Sequence, residues 1–316
     1  MGLKVVITDC DHPDVAIERE VFGAAGLAVE LADCRTEQDV ISAGQGAAAL
    51  LTQYAPVTAR VLAALPGCHA VGRYGTGVDN IDVVAARAAA VTIVSVPGYS
   101  LDEVANHAIA LILALTRGIA RLSAAVRAGQ WDFRAAGPLH RLASRQLGVV
   151  GLGQIGAAVA ERGRALGFSV AGYDTVRRDL PGVSQVTLPD LLATSDVVTL
   201  HAPLTNETRQ LMDDSAFARM KPGAVLVNTA RGGLVDSGAL VRALASGRLA
   251  GAGLDVLDPE PPSASHPLLR DERVIITPHA AFYSEESLAE LKRRAAEGVA
   301  AAVHAGSTPA AARRPA

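Results

Sequence analysis

Apolar residues in this chain fall into short runs, each followed by an Ala/Leu-rich segment with helical spacing, a pattern that predicts an α/β fold with a mostly parallel sheet. Residues 4–8 read as a buried strand and 15–26 as a helix ending in glycine; 29–32, 47–51 and 70–73 read as further strands of one small unit. Val96, Pro97 and Gly98 then punctuate the chain, and behind them Ser100 and Glu103 stand at the spacing of a helix capping box. Val104, Ala108, Leu111, Ile112 and Leu115 recur at helical spacing, so a long, mostly buried helix is predicted to open a second unit. His107 within it is expected to be a satisfied structural histidine. Strands of the second unit are predicted at 146–150, 169–173, 197–200, 224–228, 253–256 and 274–277, and the first five lead into glycine-rich turns or helices, the doubly wound arrangement. From Ser284 the pattern is helical again, with Leu288, Leu291, Ala295, Val299 and Val303 on one face; the tail from Gly306 has little to pack.

Composition narrows the class. The 316 residues suit about two domains. Half are hydrophobic and 19% charged, which favours packed cores over disorder. A formal net charge of −3 without a basic run argues against nucleic acid or an anionic membrane as partner. Cys10, Cys34 and Cys68 form no C-x-x-C pair, so neither a disulfide framework nor a metal site is expected, and reduced thiols in the cytoplasm are. Residues 1–7 turn polar too quickly for a signal peptide, and the apolar stretch 108–115 is far short of the ~20 residues that span a bilayer. A soluble protein is expected.

Candidate chemistry lies in the second unit. Gly151-Leu152-Gly153-Gln154-Ile155-Gly156 follows an apolar strand and precedes an Ala-rich helix. Glycines there permit a tight turn, close approach of the backbone to a pyrophosphate, and tight helix–strand packing, while the helix N-terminus attracts phosphate. Asp174 follows about 20 residues on, where a carboxylate accepts hydrogen bonds from ribose hydroxyls and repels a 2′-phosphate, which favours NAD over NADP. Arg177 and Arg178 stand near it. Arg231, in Asn228-Thr229-Ala230-Arg231-Gly232-Gly233, lies at a strand end where open α/β sheets bind ligands, and its planar fork suits a carboxylate. Asp255-Val256-Leu257-Asp258-Pro259-Glu260 and Thr277-Pro278-His279-Ala280-Ala281 place an acid and a histidine at the next two strand ends. A lone His or Glu is more often structural, but three such groups beside a dinucleotide motif point to catalysis.

With these segments, together with Gly75-Thr76-Gly77-Val78-Asp79-Asn80-Ile81-Asp82 and the stretch from His201-Ala202-Pro203-Leu204 to Thr208, the sequence resembles the D-isomer-specific 2-hydroxyacid dehydrogenase family along nearly its whole length. Within that family it looks closest to bacterial relatives of the C-terminal-binding proteins, on the strength of residues 279–285. The resemblance implies an NAD-binding Rossmann domain, residues 100–283, inserted into a flavodoxin-like substrate domain formed by 1–99 and 284–316, with the active site in a cleft between them. It implies that His279 is the acid/base, that Glu260 orients its imidazole, and that Arg231 grips the carboxylate of a small 2-oxo or 2-hydroxy acid. Tyr74 and Gly75 would line the loop that binds the substrate carboxylate through backbone N–H groups, and Phe282 would face the group on C2. Cofactor contacts would come from Thr76, the glycine motif with Gln154 and Ile155, Asp174, Ala202, Pro203, Thr208, Thr229, Ala230, Arg231, Asp255 and His279. A homodimer through residues 101–131, with Trp131 at the interface, is implied as well.

Two departures from the family pattern are expected: the chain is read as stopping at Ala-Arg-Arg-Pro-Ala without the returning segment by which family members rejoin the first domain, and as lacking the regulatory extension of some phosphoglycerate dehydrogenases. Two rival readings remain open: an NAD(H)-responsive binding protein, as the animal C-terminal-binding proteins are, and oxidation of another small anion such as phosphite. Formate dehydrogenase is disfavoured, because that branch carries Gln where this chain has Glu260.

Overall fold

The computed structural model describes residues 2–307, and the chain divides into two compact units, Met1–Tyr99 with Ser284–Ala316, and Ser100–Tyr283. Each is built on one parallel sheet. In the first unit the strands are β1 (Lys4–Ile7), β2 (Ala28–Leu31), β3 (Ala49–Thr52), β4 (Ala70–Arg73) and β5 (Thr92–Val94), in the order β2-β1-β3-β4-β5. That is the flavodoxin-like order. The second unit has β6 (Gln146–Val150), β7 (Ser169–Tyr173), β8 (Val183–Gln185), β9 (Val197–Leu200), β10 (Ala224–Asn228), β11 (Leu249–Leu254) and β12 (Val274–Ile276). Their order, β12-β11-β10-β9-β6-β7-β8, is the Rossmann order with one strand added at the edge, and the winding reverses between β6 and β9.

The strand sequences explain the layering. A parallel sheet is covered by helices on both faces, so its central strands are buried on both sides and mostly apolar. Every residue of β3, β9 and β10 is buried. In the first unit the helix Glu285–Ser307 returns to the sheet and buries Leu291, Ala295, Val299 and Val303, on the face that its spacing predicted. In the second, the helix Leu101–Thr116 buries Val104, Ala105, Ala108, Leu111 and Ile112, and the last four pack with Leu147, Val149 and Val227. Among the described residues no single helix is long and apolar enough to cross a membrane.

Three details differ from the sequence reading. Ser100 accepts no side-chain capping bond, because its ψ of 31° turns the backbone out of the extended conformation that a capping serine needs. The short strands β5 and β8 are additions, and β11 begins at Leu249 rather than at 253. The tail beyond residue 307 lies outside the described residues.

Candidate active site

The dinucleotide motif of the second unit is shaped by what its glycines make room for. After β6 the chain turns at Gly151, whose φ of +89° few other residues adopt, and a Cβ there would lie 2.7 Å from the His201 carbonyl carbon and the Ala202 nitrogen. The loop carrying Ala202 and Pro203 is thereby pressed against the motif. A Cβ on Gly156 would collide with the Gly151 carbonyl, so this glycine lets the helix Gln154–Ala165 seat against the turn. Gly153, the N-cap, differs: among the described residues nothing beyond its own chain neighbours and helix lies within 4 Å of where its Cβ would be. No acidic side chain occupies the first helical turn, so the N-terminal amides and the positive end of the helix face an open approach. That is what a pyrophosphate requires. Ile155 packs into the core behind the helix, while Gln154 is exposed beside Gly153.

Asp174 stands at the end of β7, with Oδ2 accepting the Leu152 N–H at 2.8 Å and Oδ1 the Val176 N–H at 2.9 Å. Burial opposes its charge, but the Val176 and Leu152 amides and the Arg178 guanidinium outweigh it and hold the carboxyl below the usual carboxylate range. The two arginines that could have favoured a phosphate are otherwise engaged: Arg177 pairs with Asp179 at 3.2 Å, and Arg178 with Asp174 itself at 3.8 Å. Further along the strand ends, Thr229 is buried and its Oγ1 has no partner among the described residues, an orphaned hydroxyl that a cofactor could satisfy. Thr208 is committed locally, donating to the Pro203 carbonyl at 2.7 Å and fixing the loop after β9. His201 in that loop is held neutral, burial pushing its imidazole down to about 4, with Nε2 2.9 Å from Thr199 Oγ1.

The three catalytic candidates come together at adjoining strand ends. His279 Nδ1 lies 2.7 Å from Glu260 Oε2, and Glu260 Oε1 accepts the Leu257 N–H at 2.9 Å. Burial raises the Glu260 pKa, but its bond to His279, the charges of His279 and Arg231, and the Leu257 amide more than offset this and keep it ionised. An anion at Oε2 means that Nδ1 carries a proton, which leaves Nε2 for a ligand. Arg231 donates from Nη1 to the Ala230 carbonyl at 2.7 Å, and its own carbonyl accepts from Asn228 Nδ2 at 2.9 Å, so the arginine is fixed at both ends. Its neighbour Gly232 is obligatory, because a Cβ there would collide with the Leu257 carbonyl. That close approach brings the loop after β10 to the one that bears Glu260.

His279 itself has a φ of +52°, a left-handed backbone that costs a non-glycine residue ~1–2 kcal/mol and persists only when its surroundings enforce it. Asp255, buried just after β11, supplies that enforcement. Its carbonyl accepts the His279 N–H at 2.7 Å, while Oδ1 and Oδ2 accept the Ala280 and Ala281 N–H groups, each at 2.9 Å. The sequence offers Asp255 only as a cofactor contact. Its part in holding the histidine is invisible there, since the bonds run to amides and not to recognisable side chains. Phe282, half-buried, stacks edge-on with Tyr283 at 6.5 Å between ring centres.

The remaining candidates belong to the first unit. Tyr74 is buried, donates its hydroxyl to Glu18 Oε1 at 2.8 Å, and is pushed far above the usual phenol range by burial and that carboxylate. Its N–H is given to the Thr52 carbonyl at 2.9 Å, so of the loop's backbone donors this one is spent on the sheet. Gly75 accepts the Val96 N–H through its carbonyl, and Thr76 donates its hydroxyl to the Val96 carbonyl at 3.2 Å. Among the described residues no group of three or more His, Cys, Asp or Glu side chains is arranged to hold a metal ion.

A Rossmann sheet with a histidine–carboxylate pair and an arginine at its strand ends suits an NAD-linked dehydrogenase, and comparison with known proteins agrees. The NAD-binding-domain model of the D-isomer-specific 2-hydroxyacid dehydrogenases matches residues 109–281. Glycerate dehydrogenase of Methylorubrum extorquens is 34% identical over 314 residues, spanning 96% of this chain and 97% of that protein. D-3-phosphoglycerate dehydrogenase of Archaeoglobus fulgidus is 39% identical over 267 residues, 83% of this chain but only 50% of that protein, so the chain spans about half the length of this relative. The structure of D-lactate dehydrogenase from Aquifex aeolicus, complexed with NAD and lactic acid, is similar with a TM-score of 0.87 at 29% identity over 96% of both chains. The chain belongs to the D-isomer-specific 2-hydroxyacid dehydrogenase family, an NAD-dependent class of oxidoreductases.

Proposed function

We propose that the protein moves a hydride between NAD and C2 of a small D-2-hydroxy acid or its 2-oxo counterpart, with His279 as the acid/base. The observation that carries this reading is the 2.7 Å pairing of His279 with an ionised Glu260, beside Arg231. NAD, when bound, supplies the hydride chemistry; the protein contributes position and charge. The open helix N-terminus at Gly153 suits the pyrophosphate, Asp174 the ribose hydroxyls, and the Thr229 hydroxyl a polar group of the cofactor. Arg231 holds the substrate carboxylate and polarises the adjoining carbonyl, while Nε2 of His279 gives its proton to the carbonyl oxygen in reduction and takes it back in oxidation. An NAD(H)-responsive binding protein would keep the same residues, so turnover decides. A panel of 2-oxo acids with NADH should show catalysis at ordinary enzyme rates; binding of NADH without turnover of any acid would favour the rival.

Asp174 makes the cofactor choice testable. Its lowered pKa keeps it anionic through neutral pH, so a 2′-phosphate would bring two negative charges together. NADH should give a higher kcat/KM than NADPH, and Asp174→Ser should narrow the gap. A wild-type preference for NADPH would overturn the assignment.

Substrate choice is assigned to Phe282. An aromatic wall carries no charge to pair with a phosphate or second carboxylate, so small or apolar 2-oxo acids should outperform phosphorylated ones. Phe282→Ala should weaken small acids by ~1–3 kcal/mol in kcat/KM and admit bulkier ones. Comparing pyruvate, hydroxypyruvate and a long-chain 2-oxo acid checks this, and an unchanged ranking in the variant would remove Phe282 from the pocket.

A homodimer is proposed on a surface of the second unit. The helix Ile119–Arg127 buries none of its residues within its own chain, and Trp131 and Phe133 beside it are 91% and 83% exposed. An apolar group of this kind marks an interface. Light scattering at micromolar concentration should give twice the 32.5 kDa chain mass, and Trp131→Arg should lower it to one. A wild-type mass of one chain would contradict the dimer. The free cysteines, with the Cys34 and Cys68 thiols pushed up to about 11 by burial, suit the reducing cytoplasm proposed for the protein.

A further inference from the structure

His107 reads in the sequence as an ordinary core histidine, yet its contacts lead to the active site. It sits on the helix Leu101–Thr116, and its Nε2 lies 2.9 Å from Thr277 Oγ1, just beyond β12 and 170 residues on in the chain. Thr277 Oγ1 is in turn 2.6 Å from Asp255 Oδ1. Counting protons gives this chain of bonds a direction. Asp255 Oδ1 already takes the Ala280 N–H, so it acts as an acceptor, and the single hydroxyl proton of Thr277 goes to it. The hydroxyl then offers His107 only a lone pair, and Nε2 must carry the hydrogen that it donates. Nε2 is also 3.7 Å from Asp255 Oδ1, which favours the same arrangement.

Asp255 is where three consecutive amides end. The N–H of His279 meets its carbonyl, and those of Ala280 and Ala281 meet one carboxylate oxygen each. A left-handed backbone at a residue with a side chain relaxes unless its neighbours fix it, so the orientation of the Asp255 carboxylate decides whether His279 stays where Glu260 can reach it. The carboxylate is oriented by Thr277, and the Thr277 hydroxyl by His107.

We infer that His107 is a positioning residue for the reaction: through Thr277 and Asp255 it holds His279 in the left-handed conformation that keeps the imidazole on Glu260. The inference rests on the acid/base reading of His279. A histidine that merely fills space in the core would affect stability and leave turnover alone. A donor in this chain affects turnover, and any residue that restores the hydrogen bond restores it.

Four variants of the full chain test this: His107→Leu and Thr277→Val, which remove the bond, and His107→Gln and Thr277→Ser, which can remake it. Displacing the imidazole should lower kcat by about 10- to 100-fold in the first pair, since misplacement by an ångström has effects of that order. NADH affinity, read by fluorescence titration, should stay within about threefold of wild type, and the second pair should recover most of kcat. Because the two side chains act in series, the double variant His107→Leu/Thr277→Val should lose no more than the worse single one. Wild-type kcat in His107→Leu, or losses that multiply in the double variant, would overturn the inference. Should Thr277→Val fail to fold, the His107 pair alone gives the comparison. His279→Ala run alongside separates the two claims: an inactive His279→Ala beside a fully active His107→Leu removes only the positioning role, whereas an active His279→Ala removes the acid/base reading beneath it.

Discussion

Replacing His279 by Ala should lower kcat by ~10²–10⁴, the range expected when a general acid/base is lost. Glu260 sets the conditions under which the imidazole works. Its carboxyl is held below the usual range despite burial, by the bond to His279, by the charges of His279 and Arg231, and by the Leu257 amide. It is therefore the anion throughout neutral pH, and its hold on Nδ1 is lost only as pH falls through that lowered value. Reduction needs a protonated imidazole, so its rate should fall as pH rises; oxidation needs the neutral ring and should rise over the same interval. Glu260→Gln replaces an anion with a neutral amide that can still accept a bond. Reduction should then be slower at every pH, because an imidazolium at this site has lost its counter-charge. Steady-state rates in both directions between pH 5 and 10 check the pair of variants. A His279→Ala enzyme with near wild-type kcat, under conditions where chemistry limits turnover, would contradict the assignment.

Arg231→Gln should lower kcat/KM for 2-oxo acids by ~10²–10³, or about 2.7–4 kcal/mol, the effect of losing a charged donor at a site where negative charge develops. Arg231 is fixed at the end of β10 by its bond to the Ala230 carbonyl and by the Asn228 side chain on its own carbonyl. The guanidinium is thus positioned in advance, and its fork can take both oxygens of a carboxylate. Lys offers a point charge without the fork, so Arg231→Lys should recover only part of the loss. A second effect follows from the charge alone. Arg231 is one of the groups that lower the Glu260 pKa, so in Arg231→Gln the acid limb of the pH profile should move upward. Measurement of kcat and KM for pyruvate with both variants decides, and an unchanged kcat/KM in Arg231→Gln would take the substrate carboxylate away from this residue.

Much of this architecture is legible in the chain because buried parallel strands form nearly continuous apolar runs. The strands β6, β7, β9 and β10 fall where the sequence predicts them, and β9 and β10 have no exposed residue to blur the run. The edges are less legible. Each of β5 and β8 has three residues, pairs on one side and is interrupted by polar positions, Thr92 in one and Ser184 and Gln185 in the other, so no apolar run marks it. The predicted strand starts at Gly253, four residues inside β11, and Gly251 and Gly253 add no apolar side chain to mark its start. Their cause is packing: a Cβ on Gly251 would lie 2.6 Å from the Arg273 carbonyl, and one on Gly253 would lie 3.1 Å from Leu111 Cβ. At the site, Arg231, Glu260 and His279 stand out as charged or titratable residues at successive strand ends. How they are held is not legible, because the Asp255 clamp acts on amides and Gly232 acts through the absence of a side chain.

The most direct test of hydride transfer to C2 is to follow the hydrogen itself. NADH labelled with deuterium at the transferable position of C4 is incubated with the enzyme and the best 2-oxo acid from the panel, and the product is examined by mass spectrometry and chiral chromatography. The proposed reaction delivers one deuteron to C2 of a D-configured 2-hydroxy acid for each NADH consumed, with none delivered by His279→Ala above its residual rate. An L-configured product, label that does not reach C2, or NADH binding without any labelled product would contradict it.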